Sequence, residues 1–296
     1  MKSIGASAAR NELESRHRDF FERGFMLALI FSLGIGIIAL VTLILQVLVE
    51  GFPRLNSELL TNFPSGNPEI AGAQSAIMGT IWVIGVTAAF TIPVGIGAAI
   101  YLEEYADKER WWNRFIELNL QNLAAVPAIV YGILGLAFIV RGFLGLGQTV
   151  LAAGLTLGLL VLPIVIISSR EAIKAVPDTI RQGAYALGAT RWQTVRRQVL
   201  PASIPGIATG TILALSRAIG EAAPLILIGG LTFITFNPES VNSNFTVLPI
   251  QIFNWVSRPQ DEFRVLAAAA IVVLLVILLA MNALAIFLRN KYQRKY

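Results

Sequence analysis

The sequence has no cysteine, a single histidine and only 14% charged residues. Each shortage removes a class of chemistry. Without cysteine there are no disulfides, no iron–sulfur clusters and no thiolate metal sites. The one histidine, His17, stands in a charged N-terminal stretch, so paired-histidine haem ligation and histidine proton relays are excluded. An ordinary soluble domain carries about 25% charged residues. A chain with so few could not cover its surface in water. No Gly-x-x-x-x-Gly-Lys-Ser/Thr phosphate loop occurs anywhere, so this chain is expected to bind no cofactor. If ATP drives it, the ATP and its magnesium belong to another chain.

What the sequence holds instead is apolar length. Hydrophobic residues make up 55% of it, and the runs Phe25–Val49 and Val265–Leu288 carry no charge. Crossing a hydrocarbon core of about 30 Å takes roughly 20 helical residues. The first run is too long for the apolar part of a cleaved signal and reads as a retained span. Six spans are expected, at 25–49, 74–101, 117–140, 149–168, 204–229 and 265–288. The third opens on Glu117, Asn119, Gln121 and Asn122 and is the least clean. Small residues four apart, Gly154 with Gly158 and Gly206 with Gly210, suit close helix packing rather than dimerisation.

The net charge of +5 would suggest nucleic acid in a soluble protein. Here the basic residues flank apolar runs, and membrane topology accounts for them without nucleic acid. Eighteen of them fall on one side of the six spans and four on the other, with Arg217 inside a span. The positive-inside rule then makes both termini and residues 170–203 cytoplasmic. The resulting division is a cytoplasmic tail over 1–24, a first transmembrane helix over 25–49, a transmembrane domain over 70–289 containing the loop 170–203, and a cytoplasmic tail over 290–296. Residues 50–73 read as an external loop. Residues 230–264, with Phe233, Phe236, Phe245, Phe253 and Trp255, read as a re-entrant or interfacial segment.

The loop 170–203 has the sharpest local pattern. Pro177 should interrupt the helix before it, and Asp178 can cap a new one. Gly188 stands where a helix end favours a left-handed residue. Thr190 and Gln193 fit a capping box. Pro201 is placed just after the second short helix, and Ser203 with Pro205 should start the fifth span. The result is a short helix, a turn and a second short helix, with Ala184, Tyr185, Leu187, Trp192 and Val195 among basic residues. Physics alone leaves two readings open: an amphipathic pair on the lipid surface, or a docking element for a soluble partner.

Inside the fifth span stand Arg217 and Glu221, four residues apart and so on one helical face. Pro224 should break the helical hydrogen bonding there. Ionisable groups at membrane depth cost about 2.5–3.5 kcal/mol each on insertion scales. Two readings stand: an ion pair that fixes packing, or an anion path in which the planar guanidinium meets phosphate oxygens.

Residues Glu171 to Pro201 resemble the cytoplasmic loop of ABC-importer permeases. That loop has a Glu-Ala-Ala triplet, a Gly four residues later and a Leu-Pro beyond. Here the triplet reads Gln182-Gly183-Ala184, followed by Tyr185, Leu187-Gly188-Ala189-Thr190 and Leu200-Pro201. The run Ser216 to Leu225, and Leu248 to Trp255 with Arg258-Pro259, resemble phosphate-specific permeases of the PstA type. The resemblance covers about 70–296 and implies an all-α, six-helix permease of the type I importer class, multi-pass in a bacterial inner membrane. It implies a homologous second permease, two copies of an ATPase and an external phosphate-binding protein as partners. It also implies that residues 182–185 and 187–190 with Leu200 and Pro201 couple to the ATPase, and that Arg217 and Glu221 serve phosphate passage. The rivals are a permease for another oxyanion, such as molybdate or sulfate, and an ion-coupled secondary transporter. A membrane enzyme is disfavoured, since no His, Cys or paired carboxylates lie in the spans.

Overall fold

A computed structural model describes residues 3–107, 109–230 and 233–292, with side chains from 24 onward except 288, 291 and 292. The basic side chains of the two expected tails, Lys2 to Arg23 and Lys291 to Lys295, lie outside that description. The chain divides into two compact units, Met1–Glu50 and Gly51–Tyr296.

The first unit is one helix, α1 (Ser3–Gly51). It contains the charge-free run from Phe25, and the helix extends through the stretch expected to be a cytoplasmic tail.

In the second unit the chain turns at Phe52–Arg54 into a short helix, α2 (Ser57–Thr61). The Asn56 side chain caps α2 by accepting from the Leu59 N–H at 3.0 Å, as an Asn at this position should. Arg54 Nη2 donates to the carbonyls of Pro68 and Glu69 at 2.8 and 2.9 Å and closes the loop. The first long helix, α3 (Gln74–Ile100), runs on through a π-helical turn, Tyr101–Tyr105. Then come α4 (Trp111–Ala124) and α5 (Ala128–Leu134), the latter extended by a π turn to Val140. These two meet at 109° across the break before Ala128. Pro127 stands at the break with extended backbone, ψ 136°, and has no N–H with which to continue the helix. The expected span 117–140 is therefore a bent pair.

The remaining elements are α6 (Val150–Lys174), α7 (Asp178–Ala186), α8 (Arg191–Thr194), a π turn (Val195–Val199), α9 (Leu200–Ile219), α10 (Ala223–Leu227), α11 (Leu248–Val256) and α12 (Asp261–Tyr292). Among the described residues, five helices are long and apolar enough to cross a membrane, six if the bent pair counts as one span.

Helix α6 is the centre of the second unit and packs against α3 on one side and α9 on the other. In lipid, burial alone does not drive helices together, so close backbone approach has to. A Cβ added at Gly154 or Gly158 would collide with Val86 or Phe90 of α3, and one at Gly206 or Gly210 with Ala172 or Ser168 of α6. Both small-residue pairs are thus packing devices. Val83, Leu157, Val161, Val165, Ala214 and Ala218 fill the core they permit. Residues 233–264 fold onto the same end as α2. Phe245, Trp255 and Phe263 are fully buried, and Phe233, Phe236 and Phe253 stay exposed. The segment also supplies carbonyls to the start of α6, through Val150 N–H to Ser243 O at 3.0 Å and Leu151 N–H to Val241 O at 2.8 Å.

One expectation fails here. No break separates the second short helix from the fifth span. The chain runs helically from Arg191 to Ile219, with Pro201 and Pro205 inside it. The π turn explains the tolerance: Leu200 N–H bonds to Val195 O, five residues back. The widened turn gives the Pro201 ring room at the preceding carbonyls. Ser203 caps nothing, and its hydroxyl donates to Leu200 O.

Candidate transport path and coupling segment

The segment between α6 and α9 is built by its short-range chemistry. Pro177, extended at ψ 138°, ends the α6 turn and is the N-cap of α7. Asp178 is the first residue of α7 and makes no cap bond. It pairs instead with Arg181 at 3.0 Å. Gly188 has φ +80°, and around it Gly188 N–H bonds to Tyr185 O and Ala189 N–H to Ala184 O, at 2.9 and 3.1 Å. The reciprocal box is complete: Gln193 N–H donates to Thr190 Oγ1 at 3.3 Å and Thr190 N–H to Gln193 Oε1 at 2.9 Å.

These bonds present a shaped surface. Gln182, Gly183, Tyr185, Leu187, Gly188 and Thr190 are exposed, Leu187 by 90%, while Ala184 and Ala189 are half-buried. Leu200 and Pro201 do not join them. They sit a helical length away and line an apolar groove of about 780 Å³ with Ile96, Ile204 and Ile207.

Arg217 is in the last turn of α9, two residues before the helix ends at Ile219. Glu221 lies in the break between α9 and α10, and its Oε1 accepts from Arg217 Nε at 3.3 Å. At 1.5 Å per residue, Arg217 is about 30 Å along the helix from Arg196. It therefore belongs to the far end of the span, not its middle. The helix is already broken before Pro224, which sits in the first turn of α10. Gly132 of α5 lets α10 approach, since a Cβ there would fall 2.7 Å from Pro224 Cα. Two interrupted helices thus meet beside the pair. The pair is not buried: the side chains are 49% and 22% exposed. Arg217 shares its open face with Thr209, Leu213 and Gly220, while Ala214 and Ala218 face the core.

The sequence did not announce a cluster where α3, α4, α6 and α7 meet. Arg181 Nε and Nη2 both donate to Glu104 Oε1, at 3.1 and 2.7 Å. Arg170 Nη2 reaches Glu117 at 2.9 Å and Glu103 at 3.5 Å. Burial draws the Arg181 guanidinium down. The hydrogen bond and charge of Glu104, with Asp178 and Glu103, outweigh it and hold its pKa above the usual arginine value. Arg170 and Arg181 read in sequence only as topology signals. The available clue was Glu103-Glu104, two acids at the basic end of a span.

Residues 91–294 match the family described as "Binding-protein-dependent transport system inner membrane component". The chain belongs to that family. A probable ABC transporter permease protein of Bacillus subtilis, YqgI, is 33% identical over 79% of this chain and 79% of its own length. The phosphate transport system permease protein PstA of Yersinia pestis is 31% identical over 90% of each chain. In fold, this inner-membrane component is similar to a chain of the MetNI methionine ABC transporter, with a TM-score of 0.61 at 16% identity, over 74% of this chain and 95% of that one. The architecture is thus the all-α, multi-pass one of type I ABC-importer permeases. The matched residues include the α7–α8 segment and the Arg217–Glu221 pair. Among the described residues no group of three or more His, Asp or Glu side chains is placed to hold a metal ion.

Proposed function

We propose that the chain is the permease subunit of an ATP-driven importer of inorganic phosphate, moving it inward by alternating access. One observation carries this: the Arg217–Glu221 pair stands on the uncovered face of α9, where the helix breaks. A guanidinium turned to lipid near a helix end would have to snorkel to the interface to keep its hydration. One lining a polar path escapes that constraint. Broken helices are where transporters place such paths. The planar fork of Arg217 suits phosphate oxygens. Glu221 neutralises it when the path is empty and can accept a hydrogen bond from protonated phosphate, which sulfate lacks at neutral pH. The likeness to the Yersinia pestis phosphate permease supports the choice of anion.

Because Arg217 faces away from its own core, a homologous second permease would close the other wall of the path. Residues 182–190 would dock on an ATPase present in two copies, which would bind ATP and magnesium. An external phosphate-binding protein would deliver the anion. The basic excess puts both termini and the α7–α8 segment in the cytoplasm.

The test is Arg217→Gln alone and together with Glu221→Gln. Uptake of labelled phosphate and co-purification of partner subunits are measured on the same preparation. Exposed pairs contribute about 0.2–1 kcal/mol, so both variants should assemble. Both should lose uptake, since the guanidinium is missing in each. A double variant that assembles and transports at the wild-type rate refutes the role of Arg217.

A further inference from the structure

We propose that Arg181 is a positioning residue that passes the motion of the α7–α8 segment into the spans, through Glu104 at the cytoplasmic end of α3. This rests on reading that segment as the ATPase-facing one.

A guanidinium has five N–H donors, and five hydrogen bonds leave this one. Two go to Glu104 Oε1. Nη2 also donates to Ile173 O at 3.0 Å, and Nη1 to Val176 O at 2.7 Å and Asp178 Oδ1 at 3.0 Å. One side chain thus joins the last turn of α6, the first turn of α7 and the π turn after α3. Helix α7 buries no residue of its own. Apart from Ile180, which packs on the cluster of Ala99, Ile173, Val176, Val199 and Ile207, little apolar contact holds it. Its attachment is mainly polar and directional.

The receiving end is arranged against its own electrostatics. A helix C-terminus favours cations, yet Glu103 and Glu104 close the helical run of α3, and Glu104 is 5% exposed. Burying a carboxylate there is costly without a partner. The α8 end meets the same turn, since the Arg191 guanidinium lies 5.1 Å from the centre of the Tyr105 ring. Arg170, bound to Glu103 and Glu117, ties α4 and α6 to it. A push on α7 or α8 therefore reaches α3, α4 and α6 at one point, Tyr101–Tyr105. The other route is α9 itself, which is helically continuous with α8 and carries Arg217 at its far end.

The experiment uses the whole transporter, with its partner permease, ATPase and binding protein, in liposomes. The variants are Arg181→Lys, which keeps the charge and loses the fork, Glu104→Gln, and the two together. Phosphate delivered per ATP hydrolysed is measured beside ATPase co-purification. Each single variant should retain its ATPase and hydrolyse ATP within about twofold of wild type, while delivery per ATP falls about tenfold or more. The double variant should be no worse than either single, because the two act through one contact. Unchanged delivery per ATP overturns the proposal. So does loss of the ATPase from the complex, which would make Arg181 a staple for the docking surface only. If the wild-type complex itself moves no phosphate, the importer reading has failed. If it does and the variants stay coupled, only this inference has.

Discussion

Gly188 offers a measurement in which backbone conformation can be separated from packing. Its φ is +80°, and a Cβ built there meets no atom within 4 Å. Space is therefore no obstacle to a Cβ, and the first cost of substitution is conformational. A non-glycine residue in the left-handed region costs roughly 1–2 kcal/mol, less for Asn and more for a β-branched residue. At 1.4 kcal/mol per factor of ten, the α7–α8 turn would keep its shape about 5–30 times less often in Gly188→Ala, and less often still in Gly188→Val. Phosphate uptake should rank Gly188 first, then Asn, then Ala, then Val, with the amount of protein in the membrane unchanged. Uptake is read per molecule, normalised by immunoblot of the membrane fraction, and ATPase co-purification should follow the same order. Full uptake by Gly188→Val refutes the fixed-turn reasoning. An Asn variant as poor as Val would show that any side chain at the surface, not φ, is what fails.

Topology is testable against a cysteine-free background. Asn67→Cys should be labelled by an impermeant reagent in intact cells and Leu187→Cys only after permeabilisation; the reverse pattern would invert the assignment. Thr194, in the same loop, is 1% exposed and unsuited to labelling. Gly132→Val should force α5 from Pro224 of α10 and, as overpacking does, cost about 1–3 kcal/mol. A melting temperature in detergent equal to wild type would count against that contact. Thr80 Oγ1 accepts from the buried Leu248 N–H at 2.9 Å, so Thr80→Val should leave that donor unpaired and lower the melting temperature, at about 1–3 kcal/mol. An unshifted melting curve would mean the amide finds another acceptor.

Whatever depends on near neighbours in the chain could be read from the sequence. Charge-free length located the first, second, fourth and sixth spans, because hydrocarbon thickness sets how many residues are needed, whereas the third is a bent pair and the fifth runs from Arg191 to Ile219 instead of 204–229. Pro177, Gly188 and the Thr190–Gln193 box act within four residues of themselves, and each stands in the structure as its chemistry dictates. Proline at 201 misled for the same reason: locally it ends a helix, and only the π turn over Val195–Val199 carries the chain through it. What tertiary structure alone decided is which distant groups meet. That α5 bends back to receive Pro224, that the Arg217–Glu221 pair stays on an uncovered face, and that Arg181 finds Glu104 seventy-seven residues away depend on how α3, α6 and α9 stack. That stacking is set by close approach at Gly154, Gly158, Gly206 and Gly210. A sequence shows that such residues are small, but not which helix will fill the space they leave.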